Sequence, residues 1–323
     1  MAESSPSILR ALRETLPNQA RLLAAVSGGR DSVCMLHALK ALQEEKGFAI
    51  EVAHYDHALR EASAADARFV AEYGAALGLT VHTERAAEQP DGENLEGWGR
   101  RKRYQFFERV RAERGLELIL TAHTANDLAE TLLIKLFANK ELNTIEAFDP
   151  LRHLARPFLN VTRAEVDCYI KDCRLQFRED ETNSNLELTR NRIRNQLLPE
   201  LREKYSAVID QILAEQATAV GADIKLLYQL TSAAFERCDK FEFGSKAWLR
   251  SLRAELQELA VPLRWRLAER VAQKKLGFNL GRKHSQRLVE MILEGREGLE
   301  LPGGYELRAK AGGLQFVSHA AMK

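Results

Sequence analysis

The sequence lacks several features that would place it in a familiar class. Its four cysteines form no close C-x-x-C pair, which argues against a disulfide framework and against a cysteine zinc site. No apolar run approaches the length of a membrane span, and residues 1–19 have the pattern of an amphipathic helix rather than a signal peptide. The net charge is only +1, so a nucleic-acid surface requires local basic clusters. A reducing, cytoplasmic setting without a membrane partner is therefore expected.

Short apolar runs and longer amphipathic runs alternate over the first two-thirds of the chain. The runs predict strands at residues 21–26, 48–54, 79–84 and 116–123, and helices at residues 32–45, 63–77, 94–114 and 126–137. Such alternation predicts an α/β fold with a parallel sheet covered on both faces. Ligands of such sheets bind beyond the carboxyl ends of the strands, where polar residues cluster in this sequence.

The pattern changes after residue 205. Helical spacing continues at residues 209–227, and further helices are predicted at residues 246–259, 263–275 and 282–293. Two short apolar runs flank Pro302-Gly303-Gly304, which indicates a hairpin, and residues 314–317 favour a third strand. We therefore predict two domains, with the catalytic one at residues 1–205 and a smaller, mainly helical one at residues 206–323.

The segment S-G-G-R-D-S, at Ser27 to Ser32, lies between the first predicted strand and its helix. It has no lysine at the Walker position and lacks the spacing of a dinucleotide fingerprint. Adjacent glycines let backbone N–H groups approach an anion, and the helix N-terminus adds positive potential. Asp31 opposes a phosphate by charge, so its presence indicates a bound Mg²⁺. The alternative from these six residues alone is a tight turn with a helix cap.

Further motifs accompany this loop. They are AHYDHALRE (53–61), ENLEGWGRRKRY (93–104), TAHTANDLAETLL (121–133), RPFLNVTRAEVDCYI (156–170), REDETNSNLELTRNRIRNQLLPEL (178–201) and LPGGYELR (301–308). Together they resemble the tRNA(Ile)-lysidine synthases of the ATP-pyrophosphatase, or PP-loop, superfamily. The resemblance is strong up to residue 201 and weaker beyond. It suggests a short form without the extra C-terminal domain of longer members.

The resemblance implies an adenine-nucleotide alpha-hydrolase-like fold and a carbon–nitrogen ligase that uses ATP and Mg²⁺. Such enzymes join L-lysine to C2 of the wobble cytidine in a tRNA(Ile) with a CAU anticodon. Adenylation turns the 2-carbonyl oxygen into a leaving group, and the reaction releases pyrophosphate and AMP. The family often forms homodimers, and the sequence leaves the oligomeric state open.

The resemblance also implies site residues. The predicted ATP contacts are Ser27, Gly28, Gly29, Arg30, Asp31, Ser32, His54 and Asp56, with Asp31 as the magnesium ligand. The predicted catalytic residues are Asp31, Asp127 and Glu130, the last two sharing a helical face. The predicted tRNA or phosphate contacts are Arg60, Arg101, Arg190 and Arg194. The ordinary alternatives are a turn at Asp56, a helix-dipole charge at Asp127 and solvated arginines.

The sequence departs from the family pattern after the fourth strand. Thr124 replaces a histidine, Asn126 an aspartate and Leu128 a glutamine, and no glycine occurs at residues 137–148, where the family has R-G-x-G. A segment without glycine adopts positive φ less readily. Two alternatives therefore stay open. One is an adenylating enzyme with another nucleophile, such as a sulfur donor, although the absent C-x-x-C pairs argue against cysteine-dependent thiolases. The other is a non-catalytic paralogue that binds tRNA or nucleotide.

Overall fold

The computed structural model describes residues 6–58, 63–87, 95–179, 186–277, 279–301, 305–310 and 313–318. The chain divides into two compact units, Met1–Gly221 and Ala222–Lys323. The division falls within a continuous helix, Ile209–Cys238. The domain boundary at residue 205 stays a prediction. Within the described ranges, no helix is long and apolar enough to span a membrane.

The first unit contains a six-stranded sheet and the helices that cover it. Its strands are β1 (Arg21–Ala25), β2 (Ala49–Asp56), β3 (Thr80–Arg85), β4 (Leu118–Leu120), β5 (Phe148–Asp149) and β6 (Leu154–Ala155). Its helices are α1 (Pro6–Thr15), α2 (Arg30–Ala41), α3 (Gln43–Lys46), α4 (Ser63–Ala76), α5 (Leu95–Glu113), α6 (Ala125–Phe137), α7 (Arg163–Asp172), α8 (Thr189–Arg192) and α9 (Leu198–Lys204). A 3₁₀ turn, Pro150–Arg152, precedes β6, and a π turn, Ile193–Leu197, joins α8 to α9. Helix α10 (Ile209–Cys238) begins in this unit.

The sheet has the order β3-β2-β1-β4-β6-β5. All neighbouring pairs are parallel except β5 and β6. The predicted parallel α/β sheet is thus confirmed, with one antiparallel strand at its edge. Strands β5 and β6 escape prediction because two residues are too few to establish a period of two.

Strand β1 shows why both faces of the sheet are covered. Leu22 and Ala24 join the cluster formed with α1, α2 and α7, whereas Leu23 and Ala25 join the cluster formed with α5. Successive strand side chains point to opposite faces, so this buried strand contributes to both cores. Covered faces leave the carboxyl ends of the strands as the accessible edge.

The second unit contains the end of α10 and three further helices, α11 (Lys246–Glu258), α12 (Val261–Val271) and α13 (Gly281–Glu294). Its antiparallel sheet has the order β7 (Gly298–Leu301), β8 (Tyr305–Lys310) and β9 (Gly313–Ser318). The predicted hairpin strands are present, and their connecting residues 302–304 lie outside the described ranges. Trp248, at 1% exposure, lies in the core of this unit. Trp265 is half-buried, and the guanidiniums of Arg266 and Arg282 lie over its ring.

Candidate active site

A cavity of about 890 Å³ opens at the carboxyl ends of β1, β2 and β4. The predicted residues that line it are Ser27, Gly29, Arg30, Asp31, Ser32, His54, Asp56, Asp127 and Arg194. Its volume lies within the usual range for small-molecule sites. Gly28, Arg101, Glu130 and Arg190 are not among its lining residues.

Two serine hydroxyls hold the loop between β1 and α2. Ser32 Oγ donates to the Gly29 carbonyl at 2.8 Å and accepts from the Ser27 backbone N–H at 3.2 Å. Ser27 Oγ lies 3.1 Å from Ser32 Oγ and accepts from the Gly29 N–H at 3.3 Å. The loop is therefore fixed before any phosphate arrives, with the N-terminus of α2 beside the cavity.

Gly28 gives the loop its sharp turn. Its φ is +88°, a region that side-chain-bearing residues rarely adopt. Its carbonyl accepts the backbone N–H of Arg178 at 2.9 Å, and Arg178 Nε lies 3.0 Å from the buried Asp66 carboxylate. Arg178, which is distant in sequence, therefore stabilises the turn of the loop through this backbone hydrogen bond.

Asp31 is the carboxylate of the loop. Burial raises its pKa to about 6, and Arg163, whose Nη2 lies 3.6 Å from Asp31 Oδ2, opposes that rise. The other oxygen, Oδ1, is buried and has no hydrogen-bond partner among the described residues. Asp127 is close enough to raise the pKa further. A buried carboxylate oxygen without a partner, near a second carboxylate, suits a divalent cation.

His54 and Asp56 end β2 in different ways. His54 is buried and its Nδ1 donates to the Val26 carbonyl at 2.8 Å, which joins the ends of β1 and β2. Asp56 Oδ1 accepts the backbone N–H of Ala58 at 2.8 Å. That bond holds a local turn in which Ala58 has φ +54°, so Asp56 shapes the cavity wall.

Asp127 lies in the first turn of α6 and caps that helix. Its Oδ2 accepts from the backbone N–H of Thr124 at 2.9 Å and from the Thr124 hydroxyl at 3.1 Å. Burial favours a higher pKa for Asp127, but His123, the Thr124 N–H and nearby arginines hold the pKa below its ordinary value. Asp127 is therefore an anion that lines the cavity.

His123 lies beside Asp127 at the end of β4. Burial lowers its pKa to about 4, and the positive charges of Arg156, Arg100 and Arg103 add to that effect. Its Nδ1 lies 3.0 Å from the Thr121 hydroxyl. The ring is consequently neutral at pH 7 and adds a polar group to the wall without adding charge.

Glu130 lies one turn further along α6, under two arginines. Its side chain is 1% exposed, and its oxygens accept from Arg194 at 2.6 and 2.9 Å and from Arg190 at 3.0 Å. Arg194 also reaches Asp127 Oδ1 at 3.4 Å. Glu130 therefore positions Arg194 at the cavity, and its predicted catalytic role stays a prediction that this geometry does not favour.

The three departures after β4 have structural partners. Thr124 is the N-cap of α6, and Leu128 is 1% exposed in a hydrophobic cluster. Asn126 is buried; its Nδ2 donates to Asp210 on α10 at 2.8 Å, and its Oδ1 accepts the Arg163 N–H at 2.8 Å. An aspartate at position 126 would place two buried carboxylates together, so asparagine fits Asp210 here.

The segment at residues 137–148 is anchored without glycine. Leu142 and Ile145 pack on the same cluster as Leu128, and the Thr144 hydroxyl donates to the Ala217 carbonyl of α10 at 2.8 Å. Asn139 supplies a positive φ of +49° in this glycine-free stretch. The segment thus has its own packed conformation.

Two of the predicted tRNA or phosphate contacts remain, Arg60 and Arg101. Arg60 lies outside the described residues, and Arg101 is exposed on α5. Residues not singled out as cavity residues also line the cavity, among them Arg103, Tyr104, Arg163 and Arg178. All four lie within the quoted motifs, so motif membership is the signal that could have found them.

The first unit of the chain matches a known domain family. The PP-loop domain family matches residues 3–201. A tRNA(Ile)-lysidine synthase of Nostoc sp. is 30% identical over 295 residues, which is 87% of this chain and 85% of that protein. The chain belongs to the tRNA(Ile)-lysidine synthase family. The family resemblance is thereby confirmed, and membership implies the use of ATP.

Further comparisons agree on family and fold. A tRNA(Ile)-lysidine synthase of Gloeobacter violaceus is 37% identical over 238 residues, covering 71% of this chain and 72% of that protein. The U34-tRNA thiolase NcsA of Methanococcus maripaludis superposes with a TM-score of 0.57 at 13% identity, covering 67% of this chain and 77% of that one. The thiolase shares the fold of this lysidine synthase family member, and the predicted PP-loop fold is confirmed.

Proposed function

We propose that the protein joins L-lysine to C2 of the wobble cytidine in a CAU-anticodon tRNA(Ile). In this reaction the cytidine O2 attacks the α-phosphorus of ATP and releases pyrophosphate. The lysine ε-amine then forms the new C–N bond at C2, loses a proton, and displaces AMP. The observation that carries the proposal is a cavity in which the PP-loop, with its half-buried Asp31, meets Asp127. The departures after β4 that left the two alternatives open have structural partners of their own.

The loop residues would hold the triphosphate. Backbone N–H groups at the start of α2 provide the anion cradle, and Gly28 permits the turn that directs them. Arg163 and Arg194 line the cavity near Asp31 and add positive charge. His54 and Asp56 form the wall where the end of β2 meets the cavity.

Asp31 would hold Mg²⁺, because its Oδ1 is buried and without a hydrogen-bond partner in the described part of the chain. Mg²⁺ typically takes one or two carboxylates together with substrate phosphates. When bound, it would neutralise charge on the phosphates during transfer of the adenylyl group. No cluster of three or more metal-ligating side chains occurs among the described residues, which is consistent with such a sparse site.

Asp127 would hold the ammonium group of lysine. That group has a reference pKa of ~10.4 and arrives as a cation. The lowered pKa of Asp127 suits it to attract this cation more than to remove its proton. Glu130 would act indirectly, by fixing Arg194.

The test is incorporation of labelled lysine into CAU-anticodon tRNA, with AMP release measured in parallel. The wild-type protein should incorporate lysine, and Asp31→Ala should lose activity by about 100-fold or more through weaker metal binding. Asp223→Ala, at an exposed position on α10, serves as the control. AMP release without lysine incorporation would support another nucleophile. Binding without turnover would support a non-catalytic paralogue, and robust turnover by Asp31→Ala would contradict the role of Asp31.

The proposal also covers the cellular compartment and the oligomeric state of the enzyme. A tRNA substrate and the reduced-thiol composition support action in the cytoplasm. A homodimer is the assembly expected from family membership. Sedimentation of the purified protein would measure this oligomeric state directly.

A further inference from the structure

Four arginines surround one tyrosine at the edge of the cavity. The guanidinium carbons of Arg100, Arg103 and Arg152 lie 5.0, 5.7 and 5.9 Å from the centre of the Tyr104 ring. Arg156 belongs to the same group, because the Tyr104 hydroxyl raises the pKa of Arg156 and the charge of Arg100 lowers it. These five residues are named the Tyr104 cluster.

The cluster is assembled from separate parts of the first unit. Arg100, Arg103 and Tyr104 share one face of α5, since residues three and four apart on a helix are neighbours. Arg152 lies in the 3₁₀ turn before β6, and Arg156 directly follows β6. Arg103 and Tyr104 line the cavity, whereas Arg100 and Arg152 are exposed to solvent. The cluster therefore extends from the cavity wall to the outer surface.

The Tyr104 cluster brings several positive charges close together, and their mutual repulsion is unfavourable. Asp149 lies 3.7 Å from Arg152 and offsets part of that charge. Arg156 is 5% exposed, and its Nε has no hydrogen-bond partner among the described residues. Burial lowers the pKa of Arg156, and the charge of Arg100 lowers it further. A bound anion would relieve this repulsion, and planar guanidiniums match phosphate geometry.

We propose that the Tyr104 cluster binds the phosphodiester backbone of the RNA substrate beside the nucleotide that enters the cavity. This rests on the proposed function for the identity of the RNA. The phosphates of ATP are served by the PP-loop at the end of β1, so the cluster is available to a second polyanion. Tyr104 acts as a platform that holds the arginine side chains close to the cavity.

The test is binding of unmodified CAU-anticodon tRNA without ATP or lysine, measured across salt concentrations. Arg100→Gln and Arg152→Gln should each weaken binding about 5- to 10-fold and reduce the slope of log K against log salt by about 1. Arg10→Gln, which removes an exposed arginine paired with Glu14 on α1, should change neither quantity beyond about 2-fold. The KM for ATP should stay unchanged in the cluster variants.

Variants of Tyr104 distinguish loss of the aromatic platform from a general loss of folding. Tyr104→Phe keeps the ring and should bind RNA like the wild type, whereas Tyr104→Leu should weaken binding about as much as loss of one arginine. The proposal is overturned if the arginine variants keep the wild-type affinity and salt slope, if only their KM for ATP rises, or if the wild type binds no tRNA. Wild-type binding without lysine incorporation would refute the proposed function instead, and the variants would still report on the cluster.

Discussion

The loop after β1 and the segment after β4 both lead from a parallel strand into a helix at the cavity, but they are stabilised differently. Ser27 and Ser32, which close the loop, are five residues apart. Asn126 and Asp210 are 84 residues apart, and Glu130 and Arg194 are 64 apart. One half of the site is thus specified locally, and the other depends on the whole first unit being folded.

The largest effect should come from Glu130→Gln. It leaves Arg190 and Arg194 without their buried countercharge, so the free energy of unfolding should fall by about 3 kcal/mol. Urea unfolding measures this loss. Glu200→Gln, which breaks an exposed pair with Lys204, is the control and should leave stability unchanged. An unchanged urea midpoint for Glu130→Gln would show that the buried carboxylate is dispensable.

Asn126→Asp should have the next largest effect, because it restores the residue type of the family motif beside Asp210. Two buried carboxylates would repel, at a cost of about 2 kcal/mol. Hydrogen exchange along α6 should quicken. Adding Asp210→Asn should restore part of the stability, since an amide again faces a carboxylate while Arg202 loses its ion pair. If Asn126→Asp costs as much stability in an Asp210→Asn background as it does in the wild type, the partnership is not what holds Asn126.

A pH effect should follow from His123. Its pKa is about 4 when folded and ~6.5 when unfolded, so only the unfolded state gains the proton between these values. The contribution of His123 to stability should therefore fall as the pH falls from ~6.5 to ~4, by at most ~1.4 kcal/mol per pH unit. Asp31 acts in the opposite sense below pH ~6, because its pKa of about 6 lies above its unfolded value and the folded state gains that proton first. Asp127, with a lowered pKa, gives up its own contribution only below that window. In His123→Gln the slope of stability against pH in this window should be lower than in the wild type by up to that amount, and an equal slope would disprove the assignment.

Gly28→Ala should have the smallest effect and a local one. A side chain at φ +88° is strained by about 1–2 kcal/mol, and its Cβ would lie 3.3 Å from Val70 Cγ2. ATP binding should weaken several-fold. Gly78→Ala is the matched control, because it has φ +69° with nothing within 4 Å of the added carbon. The control should lose a similar amount of stability and keep its ATP affinity, and equal affinities in both variants would contradict the loop's role.

The same contrast explains what the sequence could predict. The alternation of runs indicated the sheet, and adjacent residues of one short motif indicated the loop. The spacing of Asp127 and Glu130 predicted two carboxylates at the cavity, but only Asp127 lines it. Helical spacing shows that Asp127 and Glu130 share a face of α6. It does not show which of the two will be covered by an arginine distant in sequence, as Glu130 is by Arg194. Arg163 was missed as a site residue for a related reason, since its place depends on Asn126 and Asp31 together.

Helix α10 begins at Ile209, and its early residues serve the first unit. A truncated chain ending at residue 205 would keep every motif of the PP-loop match, which ends at residue 201. It would nevertheless lose Asp210, leaving Asn126 and Arg202 without their shared partner, and would uncover the apolar surface that Ala214 and Ala217 close. Expression of the catalytic part alone therefore requires a boundary set by these contacts, beyond the last motif of the PP-loop match.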